Sequence, residues 1–193
     1  MRDVAHLAAL LAIAAAAALL SGCGGTEELA PPEEPADGDA DSVRLVVYKA
    51  RREVVLSRPG QPPKTYHAAL GSNPDGDKQR EGDGRTPTGT FYVCQKNSDS
   101  KYFLFIGISY PNEEDAARGQ TDGLITAAEH DAILSALANR KSPPWYTRLG
   151  GEIGLHGGGA GWDWTRGCIA LDNADIRELY RYVRVGTMVV IEP

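Results

Sequence analysis

From Val43 to Glu192 the chain runs in short stretches of β-branched and aromatic residues, each cut off by Gly, Pro, Asn or Asp, and this punctuation most limits what it can become. The stretches are 43–48, 54–57, 64–70, 89–95, 102–108, 152–156, 168–171 and 187–192. Eight strand-length segments with little between them that is long and helical predict a mainly β domain, a sandwich or barrel. Two helices are expected to pack on it. Thr126 followed by Glu129 forms a capping-box pattern ahead of Ile133, Leu134 and Leu137, and Pro143 and Pro144 stop that segment. Asn173 is placed to cap a second helix, whose Ile176, Leu179, Tyr180 and Val183 share a face. His130 and His67 fall on these elements as surface or sheet-face residues with no chemical role.

The first 42 residues are of a different kind. An uncharged apolar run from Leu7 to Leu20 is shorter than the ~20 residues needed to span a bilayer but matches the core of an export signal. It leads into Leu20, Ser21, Gly22 and Cys23, which resembles the lipobox of bacterial lipoproteins. That resemblance implies a signal peptide over 1–22, cleavage before Cys23 and lipid attachment to its sulfur. Residues 24–42 hold seven acids and three prolines without a Lys or Arg, the composition of a disordered, self-extending tether. The folded part is expected over 43–193. Of 20 basic and 26 acidic residues in the chain, Arg2, Asp3 and the seven tether acids lie outside that part, which leaves it nearly neutral. With a net charge of −6 overall, no basic footprint points to nucleic acid.

Two loops stand out. The 17 residues from Gly71 to Pro87 are polar, Gly-rich and long enough to form one wall of a cleft. Asn73, Asp75 and Asp77 imitate the start of a calcium loop, but Lys78 stands where the turn glycine is needed and Gly84 where the bidentate Glu belongs, so calcium is not expected.

The second loop lies in EIGLHGGGAGWDWTRGCIALDN, residues 152–173. His156 ends one predicted strand and Cys168 begins the next. If the strands are neighbours, both side chains leave the same sheet edge, as a cysteine nucleophile and its base require. A free thiol has a pKa of about 8.5, and an adjacent imidazolium lowers it. His156 then carries the proton to the leaving amine. Asp163, or a backbone carbonyl near Gly157, would fix the imidazole tautomer. The turn at Arg166 and Gly167 could aim the amides of Arg166, Gly167 and Cys168 at an oxyanion. Spacing alone leaves other readings open: a Cys94–Cys168 disulfide in an oxidising compartment, Cys168 as a small buried hydrophobe, or a metal bound by His156, Asp163 and Cys168.

His156-Gly157, followed by Thr165, Arg166, Gly167, Cys168 and Ile169, resembles the signature of the L,D-transpeptidase catalytic domain of YkuD type. Gly71 to Pro74, Lys78 and EGDGRTPTGTF (81–91) resemble that family's loop and following strand, and SYPN (109–112) with Asp163-Trp164-Thr165 resembles its YafK/ErfK-like branch. Together these cover about 43–192. The resemblance implies an L,D-transpeptidase-type β-sandwich or barrel with Cys168 as nucleophile and His156 as base. No cofactor and no metal is implied. The acyl donor would be a peptidoglycan stem peptide and the acceptor an amine of another stem, a lipoprotein lysine, or water. Two positions depart from the family pattern: Arg166 replaces a His, and Ala170 replaces an Arg. Carboxylate recognition then falls to Arg166, Arg85 or Lys78, whose charged groups suit it. With Cys23 lipidated, the protein is expected in the cell envelope on the periplasmic face, at the outer membrane if the source has two, because Gly24 rather than Asp follows the cysteine. A catalytically silent, wall-binding tether is the competing expectation.

Overall fold

The computed structural model describes residues 43–193. The expected leader, the acidic tether and Cys23 lie outside the described residues.

All eight expected strands form: β1 (Arg44–Tyr48), β2 (Glu53–Arg58), β3 (Gln61–His67), β4 (Gly89–Ser100), β5 (Phe103–Ile108), β6 (Gly154–His156), β7 (Ile169–Ala170) and β8 (Met188–Glu192). They hydrogen-bond in the order β3-β2-β1-β8-β4-β5-β6-β7. The β1–β8 and β6–β7 pairs are parallel and the others antiparallel. The long strand β4 belongs to two ladders, because Gly89 to Tyr92 pair with β8 while Val93 to Ser100 pair with β5. Register shifts between Val93 and Gln95 and between Asn97 and Ser100 bend it, as extra residues in a ladder do. The bend curls the sheet until residues beyond β3 meet β7: Ala69 bridges Ala170, and Gly71 bridges Thr165.

The interior is filled by alternate residues of the strands, among them Leu45, Val47, Val54, Leu56, Phe91, Val93, Ile106, Leu155 and Ile169. Ile176 and Leu179 of α3 (Asn173–Tyr182), with Val183 after it, join the same cluster, so this amphipathic helix packs on the core as its periodicity predicts.

Three helices are described, not the expected two. In α2 (Ala127–Ala138) the Thr126/Glu129 capping box forms as read, with Thr126 Oγ1 accepting from the Glu129 amide at 3.2 Å. The unexpected helix is α1 (Glu113–Thr121), capped by an Asn112/Asp115 box. Its buried residues are Asp115, Ala116 and Gly119, and a Cβ on Gly119 would stand 2.9 Å from Leu149 Cδ2. A helix that buries small residues leaves no apolar periodicity to read. At α3 the cap is Asp172, not Asn173, and no side chain bonds the first turn. Asn173 is turned elsewhere.

Candidate active site

Strands β6 and β7 pair in parallel with Leu155 opposite Ile169 and His156 opposite Ala170. Leu155 and Ile169 both enter the core, so alternation turns His156, Ala170 and Cys168 to the other face. Cys168 immediately precedes β7 and is then, by register, the diagonal neighbour of His156 on that face. The two expected residues are brought to one edge of one sheet face.

His156 is 2% exposed. Its ring stacks on Tyr102, from the turn between β4 and β5, with centroids 4.6 Å apart and planes 21° apart. The edge of Trp164 meets it at 5.5 Å. The Nδ1 atom lies 2.6 Å from the Gly157 carbonyl. A carbonyl only accepts, so Nδ1 carries the hydrogen and Nε2 keeps its lone pair in the neutral ring. Of the two expected orienting groups, the backbone carbonyl is therefore the one in place. Asp163 is occupied by the Arg52 guanidinium, at 2.8 Å from Nη2 to Oδ2, and by the Leu70 amide at 2.8 Å. Burial holds the imidazole below its ordinary 6.5; the Gly157 carbonyl opposes this and the Lys101 charge adds to it.

Cys168 is a free, half-buried thiol, as is Cys94, so neither is bridged. Its Sγ donates to the Glu152 carbonyl at 3.4 Å. Burial pushes the thiol up to about 11, with the Gly154 amide, Lys78 and Lys101 acting against it and Glu152 with it. Burial thus favours the neutral form of each group, against the lowering of the thiol that an adjacent imidazolium would bring. Glu152 holds φ = 53°, left-handed for a non-glycine, where its carbonyl meets the sulfur.

The turn into the cysteine is tied by Thr165, whose Oγ1 accepts from the Gly167 amide at 3.1 Å and donates to the Cys168 carbonyl at 2.7 Å. Gly167 therefore does not offer its N–H to an oxyanion as expected. Among the described residues the amides of Arg166 and Cys168 make no hydrogen bond, and they are the donors left for that task. At φ = 128°, a Cβ on Gly167 would stand 2.6 Å from the Arg85 carbonyl, so this position requires glycine.

The remaining expected residues part company. Lys78 is 2% exposed, and its Nζ donates to Asp83 at 2.8 Å and to the Arg80 carbonyl at 3.0 Å. It is a strut of the 71–87 loop, not a free cation for a substrate carboxylate. Arg85 is half-buried with Nη1 on the Asp77 carbonyl at 3.3 Å, and Arg166 is exposed. Sequence reading missed Tyr102, Glu152 and the part of Asn173 in the site. Tyr102 is far from the motif along the chain, and Glu152 acts through its backbone, so neither carries a signal in the pattern.

A free thiol diagonal to an imidazole with a fixed tautomer, at the rim of a curled β-sheet, can do one kind of chemistry well: acyl transfer through a thioester. The sequence model of the L,D-transpeptidase catalytic domain, YkuD, matches residues 42–191, and the chain belongs to that family. Solved structures of similar fold include the helical cell shape determining protein Pgp2 (K307A mutant) from Campylobacter jejuni, with 24% identity and a TM-score of 0.52 over 80% of this chain and 48% of that one. Bd1075 from Bdellovibrio bacteriovorus is similar at 22% identity and a TM-score of 0.50, over 79% of this chain and 48% of that one. The chain thus spans about half the length of either protein. No curated protein sequence matches it.

Proposed function

We propose that the protein is a cysteine-dependent L,D-transpeptidase acting on peptidoglycan stem peptides. The observation that carries the reading is the Nδ1–H bond from His156 to Gly157, because it leaves Nε2 as a base on the face that holds Cys168. Sγ attacks the carbonyl of the L-centre of a third-position diamino acid as the imidazole takes the thiol proton. The amides of Arg166 and Cys168 receive the oxyanion. The tetrahedral adduct collapses, the imidazolium returns the proton to the amine of the departing D-residue, and a thioester remains on Cys168. An incoming amine, deprotonated by the same ring, then takes the acyl group. A stem-peptide amine gives a 3-3 crosslink, and a lipoprotein lysine gives a protein attached to the wall. Water in that place makes the same pair an L,D-carboxypeptidase or amidase, able to shorten stems or release wall-bound lipoprotein. Arg85 and Arg166 are the cations left to meet a substrate carboxylate.

The envelope location belongs to the same reading. Export by residues 1–22 and lipidation of Cys23 would hold the domain on the periplasmic face of a membrane.

Incubating the chain with defined muropeptides and resolving products by mass tests the reaction. Crosslinked dimers are the expected result, shortened stems mark the hydrolase, and recovery of unchanged stems overturns the enzyme reading. A second expectation concerns pH. The base must be neutral, and burial holds its pKa down, so the acid limb of kcat/KM should fall at a midpoint below 6.5. A midpoint at or above that value would remove His156 as the base.

A further inference from the structure

We propose that Asn173 is a positioning residue that sets the tautomer of His156 through the peptide bond between Gly157 and Gly158. The carbonyl of that peptide accepts the imidazole Nδ1–H at 2.6 Å, and its N–H donates to Asn173 Oδ1 at 3.0 Å. Imidazole, peptide and carboxamide form one line of hydrogen bonds. The planes on either side are held separately: Gly157 N donates to the Tyr102 carbonyl at 3.0 Å, and Gly159 N to the Leu171 carbonyl at 2.9 Å. With its neighbours fixed and glycine at both of its ends, the 157–158 peptide is free to turn over about the flanking bonds, since Gly158 already sits at φ = 108°.

Turned over, it would present an N–H to Nδ1 instead of a carbonyl. That selects the other tautomer, with the hydrogen on Nε2 and no base facing Cys168. Asn173 and Gly158 are both exposed, so water would satisfy the amide equally well. The carboxamide therefore contributes orientation, not relief of a buried donor. Its seat also explains the glycine after the histidine, where a Cβ would stand 2.4 Å from Asn173 Oδ1 and 2.9 Å from the Tyr102 carbonyl. Asn173 does not cap α3, which frees its side chain for this contact.

The inference rests on the transpeptidase reading for its effect on rate, but not for its effect on the ring. Long-range ¹H–¹⁵N spectra of the full chain report the tautomer directly. The unsubstituted chain should show His156 protonated at Nδ1. Asn173→Ala should shift it toward Nε2–H or a mixture and lower kcat on muropeptides about ten- to hundredfold with KM little changed, the size expected when a reacting group is misplaced. Asn173→Asp, which still accepts from Gly158, should restore the Nδ1–H form. Asn173→Ser, too short to reach Gly158, replaces the alanine variant if that one does not fold. An Nδ1–H ring in Asn173→Ala or Asn173→Ser, or an Asp variant as altered as the alanine one, overturns the proposal. Normal tautomer behaviour in a chain that turns over no muropeptide would sink the transpeptidase reading and leave this one standing.

Discussion

Cys168→Ala should lower release of the D-residue by about 10⁴-fold or more, because the proposed thioester forms on its sulfur. The protein should stay folded, since removing one sulfur from a half-buried position costs about 1 kcal/mol. His156→Ala should lose nearly as much, and the double variant little more, as residues acting as a unit do. Acid-quenched wild-type enzyme mixed with a tetrapeptide stem should carry a mass increment on Cys168 that the alanine variant lacks. Turnover by Cys168→Ala at more than a few per cent of wild type would end the thioester mechanism. Because burial pushes the Cys168 thiol up to about 11, alkylation in the absence of substrate should be slow at neutral pH.

Asp83→Ala should destabilise the 71–87 loop strongly, at about 3 kcal/mol by chemical denaturation. Asp83 accepts from Lys78 Nζ and from the amides of Gln79, Arg80 and Arg85, and its removal leaves a buried ammonium with one carbonyl. Removing the ammonium as well, as in Lys78→Met with Asp83→Ala, should recover only the share due to the unpaired charge, because the amides of Gln79, Arg80 and Arg85 still lack their acceptor. The pH dependence has a definite sign. Burial pushes the Asp83 carboxyl up, but the Lys78 bond and the three amides outweigh it and hold it below its ordinary 3.8. Its contribution is therefore complete above 3.8 and is lost as pH falls through the lower folded value. Asp83→Asn should flatten that acid loss. An unchanged acid limb, or an Asp83→Ala variant as stable as wild type, would count against the strut.

Most strands were legible because they carry β-branched or aromatic residues between turn-forming ones, but β3 buries only Tyr66 and lies at 61–67 rather than 64–70, and β4 runs on to Ser100. Helix α2 announced itself through Thr126 and Glu129. Helix α1 did not, because Ala116 and Gly119 pack by being small. At the site, His156 and Cys168 could be read from their places at two strand ends. Their protonation could not, because it depends on burial and on carbonyls that any residue supplies, those of Glu152 and Gly157. Lys78 misled for a related reason. A lysine in a polar loop looks free to meet substrate until the fold sets Asp83 beneath it.

The curl of the sheet is closed by two isolated bridges, Ala69 to Ala170 and Gly71 to Thr165, against the five-residue parallel ladder of β1 and β8. That seam holds four backbone hydrogen bonds, two between Ala69 and Ala170 and two from Thr165 to Leu70 and Ser72, and Asp163 ties it further by accepting from Leu70 N and Arg52. The segment that presents Cys168 is thereby stitched to both margins of the curl, β6 on one side and the residues after β3 on the other, so a displacement of either margin is carried to the sulfur.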